Sequence, residues 1–253
     1  MTILSYGGGL QSTALLCMPL NGDVEPLDAV VFADTQYEPQ WVYETVKQSR
    51  KACEMAGIPF QIVSAGDIKM DALSESHRFA SMPLYTIMDG KAGMMRRQCS
   101  KEYKIRPIQR LILSLTDAPV SLWIGLSWDE AQRMKNSHVK YIKHRFPLIE
   151  RHLRHCDCET YLREHGIPIP RKSSCLCCPY HNDRYWARLR LESPEEFADA
   201  AQFDADLRES RRLAIKGRVY LHRSLIPLSK IGHFRGELQT DMFVDECDGM
   251  CGI

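Results

Sequence analysis

Short apolar runs alternate with segments of helical spacing along the first half of the chain. Four nearly all-apolar runs predict strands, at residues 3–5, 29–33, 60–63 and 120–126, and the runs at 29–33 and 120–126 predict buried ones. Three segments with apolar positions three or four apart predict helices, at residues 10–18, 41–55 and 105–115. Strands that are apolar on both faces and alternate with helices are typical of a parallel sheet covered on both sides. We therefore predict an α/β fold.

The pattern changes near residue 150. Helical spacing then dominates, at residues 159–164, 183–191 and 194–215, around a cysteine-rich stretch from Pro168 to Pro179. We predict two parts: a nucleotide-binding α/β domain over residues 1–150, and a smaller helical, cysteine-rich, metal-binding part over residues 151–253 that ends in a cysteine tail.

Composition narrows the class of protein. The 253 residues are 44% apolar and 26% charged, with a formal net charge of +1, which excludes a strongly basic coat and an acidic tail. No apolar run approaches the roughly 18 residues that a membrane span needs. Since the first basic residue is Lys47, a secretory leader is not expected. We expect a cytoplasmic protein whose ten cysteines serve chemistry other than disulfides.

The near-neutral total hides a basic middle. Residues 91–155 contain fourteen Lys or Arg against five acids, with histidines and aromatic residues interleaved. Such a run is either a solvated face or a phosphate-binding surface, and the interleaved rings favour the second interpretation. We therefore expect a nucleic-acid partner, DNA or tRNA.

A glycine loop joins the first strand to the first helix, at residues 5–13 (SYGGGLQST). Glycines let a phosphate approach the backbone, and the helix N-terminus offers free N–H groups and positive potential. Ser12 and Thr13 add hydroxyl groups. The alternative is a tight turn with a capped helix. The spacing is neither a Walker A loop nor a dinucleotide fingerprint, and three glycines at this junction favour phosphate binding.

Four segments follow in a fixed order: Ser5-Tyr6-Gly7-Gly8-Gly9-Leu10-Gln11-Ser12-Thr13, Phe32-Ala33-Asp34-Thr35 with Glu38-Pro39, Arg97-Gln98-Cys99 with Lys104-Ile105 and Pro107-Ile108, and Ile124-Gly125-Leu126-Ser127 with Asp129-Glu130 and Arg133. Together they resemble the PP-loop ATP pyrophosphatase and phosphoadenylyl-sulfate (PAPS) reductase-like superfamily. Gln11 stands where the PP-loop usually carries Asp, so it brings no charge. The resemblance implies an adenine nucleotide α-hydrolase (HUP-like) fold.

The resemblance also implies roles for single residues, with ATP and Mg²⁺ as cofactors. Nucleotide binding is implied for Ser5, Gly7, Gly8, Gly9, Gln11, Ser12, Thr13 and Asp34. Catalytic roles are implied for Ser12, for Asp129 and Glu130 as magnesium ligands, and for Arg97, Lys104 and Arg133 as partners of developing charge. Asp129 and Glu130 equally fit a helix N-cap with an acidic first turn.

The late cysteines predict a metal centre. Cys175-Leu176-Cys177-Cys178-Pro179 contains a C-x-x-C that ends in Cys-Pro, which is common in iron–sulfur loops. Cys99 and Cys158 complete four candidate ligands with Cys175 and Cys178, while Cys156 or Cys177 can replace one of them. Spacing does not separate zinc from iron. The resemblance favours a [4Fe–4S] cluster, with Zn²⁺ as the alternative.

Cys247 and Cys251 lie near the C-terminus, where two thiols can carry persulfide, act as a redox arm or be incidental. The resemblance supports a catalytic role, since sulfonucleotide reductases keep a nucleophilic cysteine in a C-terminal tail.

The leading hypothesis is an ATP pyrophosphatase that adenylates a nucleic-acid acceptor for sulfur incorporation, similar to the ATP pyrophosphatase component of DNA phosphorothioation. A cysteine desulfurase or another sulfur donor would be its partner. The alternatives are a PAPS or adenylyl-sulfate reductase, and a non-catalytic zinc-containing module that binds nucleotides or nucleic acid.

Overall fold

The computed structural model describes residues 1–74, 82–210 and 217–234. Within these ranges the strands are β1 (Thr2–Tyr6), β2 (Ala29–Asp34), β3 (Phe60–Ser64), β4 (Tyr85–Met88), β5 (Lys91–Met94), β6 (Val120–Ile124), β7 (Ile142–Arg145) and β8 (Arg218–Tyr220). The α-helices are α1 (Leu10–Asn21), α2 (Gln40–Met55), α3 (Ile68–Leu73), α4 (Arg106–Leu115), α5 (Pro147–Glu150), α6 (His155–Glu164), α7 (Asp183–Glu192) and α8 (Pro194–Glu209). A π-helical segment, Ser100–Ile105, leads into α4, and two short 3₁₀ segments span Trp128–Arg133 and Leu228–Lys230. Among these described helices, none is both long and apolar enough to cross a membrane.

Five strands form one parallel sheet in the order β3-β2-β1-β6-β7. The predicted α/β class with a parallel sheet is confirmed, and the strand order is that of the HUP-like fold that the resemblance implies. The chain builds β1, β2 and β3 outward on one side, then crosses to β6 on the other side of β1. Ligands of such sheets bind at this switch of direction, beyond the carboxyl ends of the strands.

The two faces of the sheet are covered because neighbouring strand residues point in opposite directions. Leu4 packs in a cluster with residues of α1, α2 and α6. Its neighbour Ile3 packs in a second cluster on the other face, with Ile108 and Ile112 of α4. Each apolar strand therefore contributes to two cores, which explains why the sequence shows no polar alternation there.

Several elements differ from the sequence prediction. The helix predicted over residues 194–215 ends at Glu209, as α8. Helix α1 continues past Pro19 and ends at Gly22, whose left-handed backbone (φ 83°) lets its N–H reach the carbonyls of Met18 and Pro19. Strand β7 was not predicted, because as an edge strand it carries Lys143 and other polar side chains. A second, antiparallel sheet of order β5-β4-β8 was also not predicted.

The first helix after residue 150 belongs to the packing of the parallel sheet. Cys158 and Leu162 of α6 are fully buried in the same cluster as Leu16 of α1. Likewise the small sheet joins β4 and β5 to β8, from the far end of the described chain. The division at residue 150 stays a prediction, and elements from both sides of it share cores.

Candidate nucleotide loop and thiol cavity

The glycine loop lies at the carboxyl end of β1, where the sheet changes direction. Gly8 has a left-handed φ of 74°, and Gly9 is the N-cap of α1. The Ser12 hydroxyl accepts from the Gly9 amide at 3.2 Å and donates to the Gly9 carbonyl at 3.1 Å. This closes the loop onto the first turn of a 12-residue helix, whose N-terminal amides are suited to an anion.

Gly125 lets the end of β6 approach the glycine loop. A β-carbon at Gly125 would lie 2.9 Å from the Ser12 nitrogen and 3.0 Å from the Ser12 α-carbon, so a side chain does not fit. Sequence reasoning included Gly125 in a motif but gave it no role. The available signal was a glycine directly after a buried strand, which often marks close backbone approach.

Ser5 and Thr13 belong to the strand and the helix that flank the loop. Thr13 is buried, and its hydroxyl lies 3.0 Å from the hydroxyl of Tyr6, which in turn bonds the Ser49 hydroxyl at 2.6 Å. Burial raises the pKa of Tyr6 to about 12. Ser5 is half-buried within β1, paired in register with Val31. The Thr13 hydroxyl therefore ties α1 to β1 and α2 in this structure.

The side chain of Gln11 is hydrogen-bonded to Glu130. The Gln11 side-chain amide donates to Glu130 Oε2 at 2.7 Å, and the other oxygen of Glu130 forms an ion pair with Arg133. A carboxylate at position 11 would face a second carboxylate, whereas the neutral amide supplies a donor. Both Glu130 oxygens are thus engaged within the protein, and the neutral Gln11 side chain fits beside them as a donor.

Asp129 and Asp34 each brace backbone near the sheet edge. Asp129 Oδ1 accepts from the backbone amide of His155 at 3.1 Å, so it caps the first turn of α6. Asp34 Oδ1 accepts from the Gln36 amide at 2.7 Å and from the Tyr43 hydroxyl at 3.1 Å. Asp129 therefore acts as a helix cap, as one of the two interpretations predicted. The helix that it caps is α6, and not the 3₁₀ segment Trp128–Arg133 in which it lies.

A second feature lies beyond the end of β2. A cavity of about 490 Å³, including its open mouth, is lined by four cysteines and two cations: Cys99, Cys175, Cys177, Cys178, Arg97 and Lys104. We call it the thiol cavity. It brings together three of the four predicted ligands, adds Cys177 from the predicted alternatives, and places Arg97 and Lys104 beside them.

Glu38 anchors one wall of the thiol cavity. Its side chain is 1% exposed, accepts from the Thr35 hydroxyl at 3.0 Å, and pairs with Lys104 at 3.4 Å. The Cys175 thiol lies 3.5 Å from the same carboxylate oxygen and 3.3 Å from the Thr35 hydroxyl. Glu38 Oε2 is buried and has no hydrogen-bond partner among the described residues.

Burial favours the protonated form of three thiols of this cavity, Cys99, Cys175 and Cys177. It raises the pKa of Cys175 and of Cys177 well above the usual 9.0, and the Glu38 carboxylate raises the pKa of Cys175 further while Lys104 opposes it. The pKa of Cys99 is also raised by burial, against the charge of Arg97. A bound metal would have to displace these protons, since thiolates are the ligating form.

Cys158 is not brought to the thiol cavity. It is fully buried on α6 in the apolar cluster that contains Leu16 of α1, and burial raises its pKa to about 12. Cys156, two residues earlier, is exposed on the same helix. Cys247 and Cys251 lie outside the described residues. Of the two cysteines named as substitutes, Cys177 is the one that lines the cavity.

Four cysteines line the thiol cavity together with Arg97 and Lys104. Within residues 1–74, 82–210 and 217–234, no group of three or more His, Cys, Asp or Glu side chains is arranged to hold a metal ion. Thiolates are ligands of both Zn²⁺ and iron–sulfur clusters, so the chemistry of the lining fits either group.

One short segment connects the two features. A β-carbon at Gly9 would lie 2.7 Å from the Ser173 hydroxyl, so residue 173 rests on the glycine loop. Cys175, two positions on, lines the thiol cavity. Two residues span at most about 7 Å of extended chain. The segment 173–175 therefore lies between the glycine loop and the thiol cavity, and sequence reasoning had assigned nothing to Ser173.

Neither a protein-family model nor a curated protein sequence matches the chain. Among solved structures, the U34-tRNA thiolase NcsA from Methanococcus maripaludis, with its [4Fe-4S] cluster, is similar over 81% of this chain and 71% of its own. The TM-score is 0.44 and the sequence identity is 14%. This likeness is too distant to carry a functional argument.

Proposed function

We propose that the protein is a PP-loop ATP pyrophosphatase that activates a nucleic-acid acceptor by adenylation, so that sulfur can be incorporated. In this reaction an acceptor oxygen attacks the α-phosphorus of ATP and pyrophosphate leaves. A sulfur nucleophile then attacks the activated centre and AMP leaves. The protein is thus proposed to be an ATP-dependent sulfur-transfer enzyme, with DNA phosphorothioation as the specific form.

One observation carries the proposal: the segment 173–175 joins the glycine loop to the thiol cavity. An enzyme that couples nucleotide cleavage to sulfur chemistry needs a phosphate site and a thiol site within reach of one acceptor. A nucleotide-binding module alone does not need four cysteines around one cavity. Gly7, Gly8 and Gly9 with the α1 N-terminus would hold the phosphates.

The thiol cavity would hold the metal centre. Cys99, Cys175 and Cys178, with Cys177 as an alternative to one of them, would ligate an iron–sulfur cluster; held by three thiolates, such a cluster would keep one iron open to a sulfur atom. Arg97 and Lys104 would offset the negative charge of thiolates in a buried site. Asp129 would place Mg²⁺ through the carboxylate oxygen that does not cap α6, a role that the resemblance suggests.

The test uses protein purified without oxygen and supplied with Mg-ATP. We expect AMP and pyrophosphate, at least tenfold less from Ser12→Ala, and iron bound by the wild-type protein and lost from Cys175→Ser. Cys53→Ala is the matched control, since that thiol is buried elsewhere, on α2. ADP as the product, or an unchanged rate in Ser12→Ala, would contradict the proposal.

The same samples separate the alternatives. Adenylyl sulfate turnover with thioredoxin, abolished by Cys247→Ala or Cys251→Ala, would identify a reductase instead. A colourless protein with one zinc that binds ATP without cleaving it would identify the binding module. Either result would replace the sulfur-transfer proposal.

A further inference from the structure

A second cavity, separate from the thiol cavity, lies beside the segment that rests on the glycine loop. Its volume is about 360 Å³ including the mouth. The residues that line it are Trp41, Arg171, Lys172, Tyr185, Arg188, Leu189 and Glu192. Lys172, in the wall of this cavity, directly precedes Ser173, the residue that rests on the glycine loop.

Two buried donors in this wall have no acceptor. Lys172 Nζ and the Tyr185 hydroxyl are both buried and make no hydrogen bond to any described residue. Burying an ammonium group is costly unless an anion accompanies it. Both groups can donate to the same kind of ligand, one that accepts hydrogen bonds and carries negative charge.

At the rim of the cavity, a carboxylate occupies the place beside two arginines that an anionic ligand could take. Glu192 is paired there with Arg171 at 2.7 Å and with Arg188 at 3.0 Å, and all three side chains are at least one-third exposed. The lining thus holds three cations and one carboxylate. Arg171 also covers the Trp41 ring, 5.4 Å from its centre, which keeps one cation at the mouth.

We propose that this cavity, which we call the phosphate pocket, binds a backbone phosphate of the nucleic-acid acceptor. Lys172 and Tyr185 donate to the phosphate oxygens, and Arg171 and Arg188 exchange the Glu192 carboxylate for the incoming phosphate. The identity of the ligand as an acceptor rests on the proposed function. The position next to Ser173 brings the neighbouring phosphate group of the acceptor toward the nucleotide loop.

The test measures binding of fluorescent duplex DNA and of tRNA without ATP, across a salt series. Lys172→Met removes the charge with little change in shape, and we expect about tenfold weaker binding and a salt slope smaller by about 1. Tyr185→Phe weakens binding less, and Glu192→Gln strengthens it. Lys51→Met, on the exposed face of α2, is the matched control and changes neither quantity.

Thermal unfolding separates a binding role from a structural one. Without added phosphate, Lys172→Met should raise the melting temperature, because a buried amino group that has no hydrogen-bond partner among the described residues is removed. A lower melting temperature would mean that Lys172 supports the fold, and unchanged DNA and tRNA binding would mean that it meets no acceptor. Either result overturns the proposal.

Inorganic phosphate and pyrophosphate distinguish the source of the anion. Protection of the wild-type protein by these ions, lost in Lys172→Met while nucleic-acid binding stays unchanged, would assign the pocket to a free anion and overturn the acceptor assignment. Because no ATP is present, the outcome is independent of the cleavage assay. Pyrophosphate release without a Lys172 effect would leave the proposed function standing and remove this inference alone.

Discussion

At the scale of single residues, Gly125 controls how closely β6 approaches the glycine loop. Gly125→Ala places a carbon 2.9 Å from the backbone nitrogen of Ser12, where nothing flexible can yield. We expect a loss of about 1–3 kcal/mol in the free energy of unfolding and about tenfold weaker binding of a non-cleavable ATP analogue. Calorimetry and chemical denaturation measure the two effects.

Gly232→Ala is the control for that variant, because among the described residues no atom outside its own chain neighbours lies within 4 Å of its added carbon. It should change neither the stability nor the affinity for the analogue. Normal affinity in Gly125→Ala would show that the loop does not depend on this close approach.

Two cysteines on α6 test where Cys158 lies. Cys156 is exposed, whereas Cys158 is buried and its pKa is raised to about 12. Iodoacetamide at pH 8 should therefore label Cys156 and leave Cys158 unmodified until the protein is unfolded. Mass spectrometry of the digested protein reads both sites, and rapid labelling of Cys158 in the native state would contradict its place in the core.

Single residues also show where sequence reasoning stops. Cys99, Cys175 and Cys178 were predicted as ligands together with Cys158, but spacing along the chain cannot report which thiols share a cavity. Lys172 and Tyr185 gave no sequence signal, because a lysine or tyrosine without an acceptor is recognised only once its surroundings are known.

At the scale of elements, Asp129 connects the segment after β6, at the carboxyl end of the sheet, to the start of α6. Asp129→Ala removes the acceptor for the His155 amide, and we expect about 1 kcal/mol lower stability. Asp129→Asn keeps an oxygen acceptor and should retain the wild-type melting temperature. If Asp129 also places Mg²⁺, both variants lose pyrophosphate release; full activity in both would leave Asp129 as a cap only.

The predictability of the elements follows their burial. Strand β2 was predicted because its first five residues are apolar and buried on both faces. Strand β7 was missed because its edge position tolerates Lys143 and His144. The small sheet pairs β4 with β8 across more than a hundred residues, and no local pattern encodes such a pairing.

At the scale of the whole molecule, buried cysteine thiols and a buried tyrosine hydroxyl lower the stability of the fold at alkaline pH. Burial raises the pKa of Cys17 and Cys53 to about 11, and of Cys158 and Tyr6 to about 12. Above about pH 9 the unfolded chain loses thiol protons that the folded protein retains, so the free energy of unfolding falls as pH rises. Urea denaturation between pH 8 and pH 10.5 should show this fall.

Cys53→Ala provides the comparison for the pH series. It removes one of the groups whose pKa is raised, so its stability should depend less steeply on pH above 9 than that of the wild type. A stability that is flat or rising through this range in the wild type would contradict the burial of these groups.

The central claim is that the molecule couples ATP cleavage to a nucleic-acid acceptor. The most direct measurement is product analysis of Mg-ATP labelled at the α-phosphate and, in a parallel sample, at the γ-phosphate, under anaerobic conditions, with duplex DNA, tRNA or neither present. The account predicts one pyrophosphate for each adenylyl group that leaves ATP, recovered as AMP or on the acceptor, and faster cleavage when the acceptor is present. ADP as the product, or no cleavage with any acceptor, would contradict it.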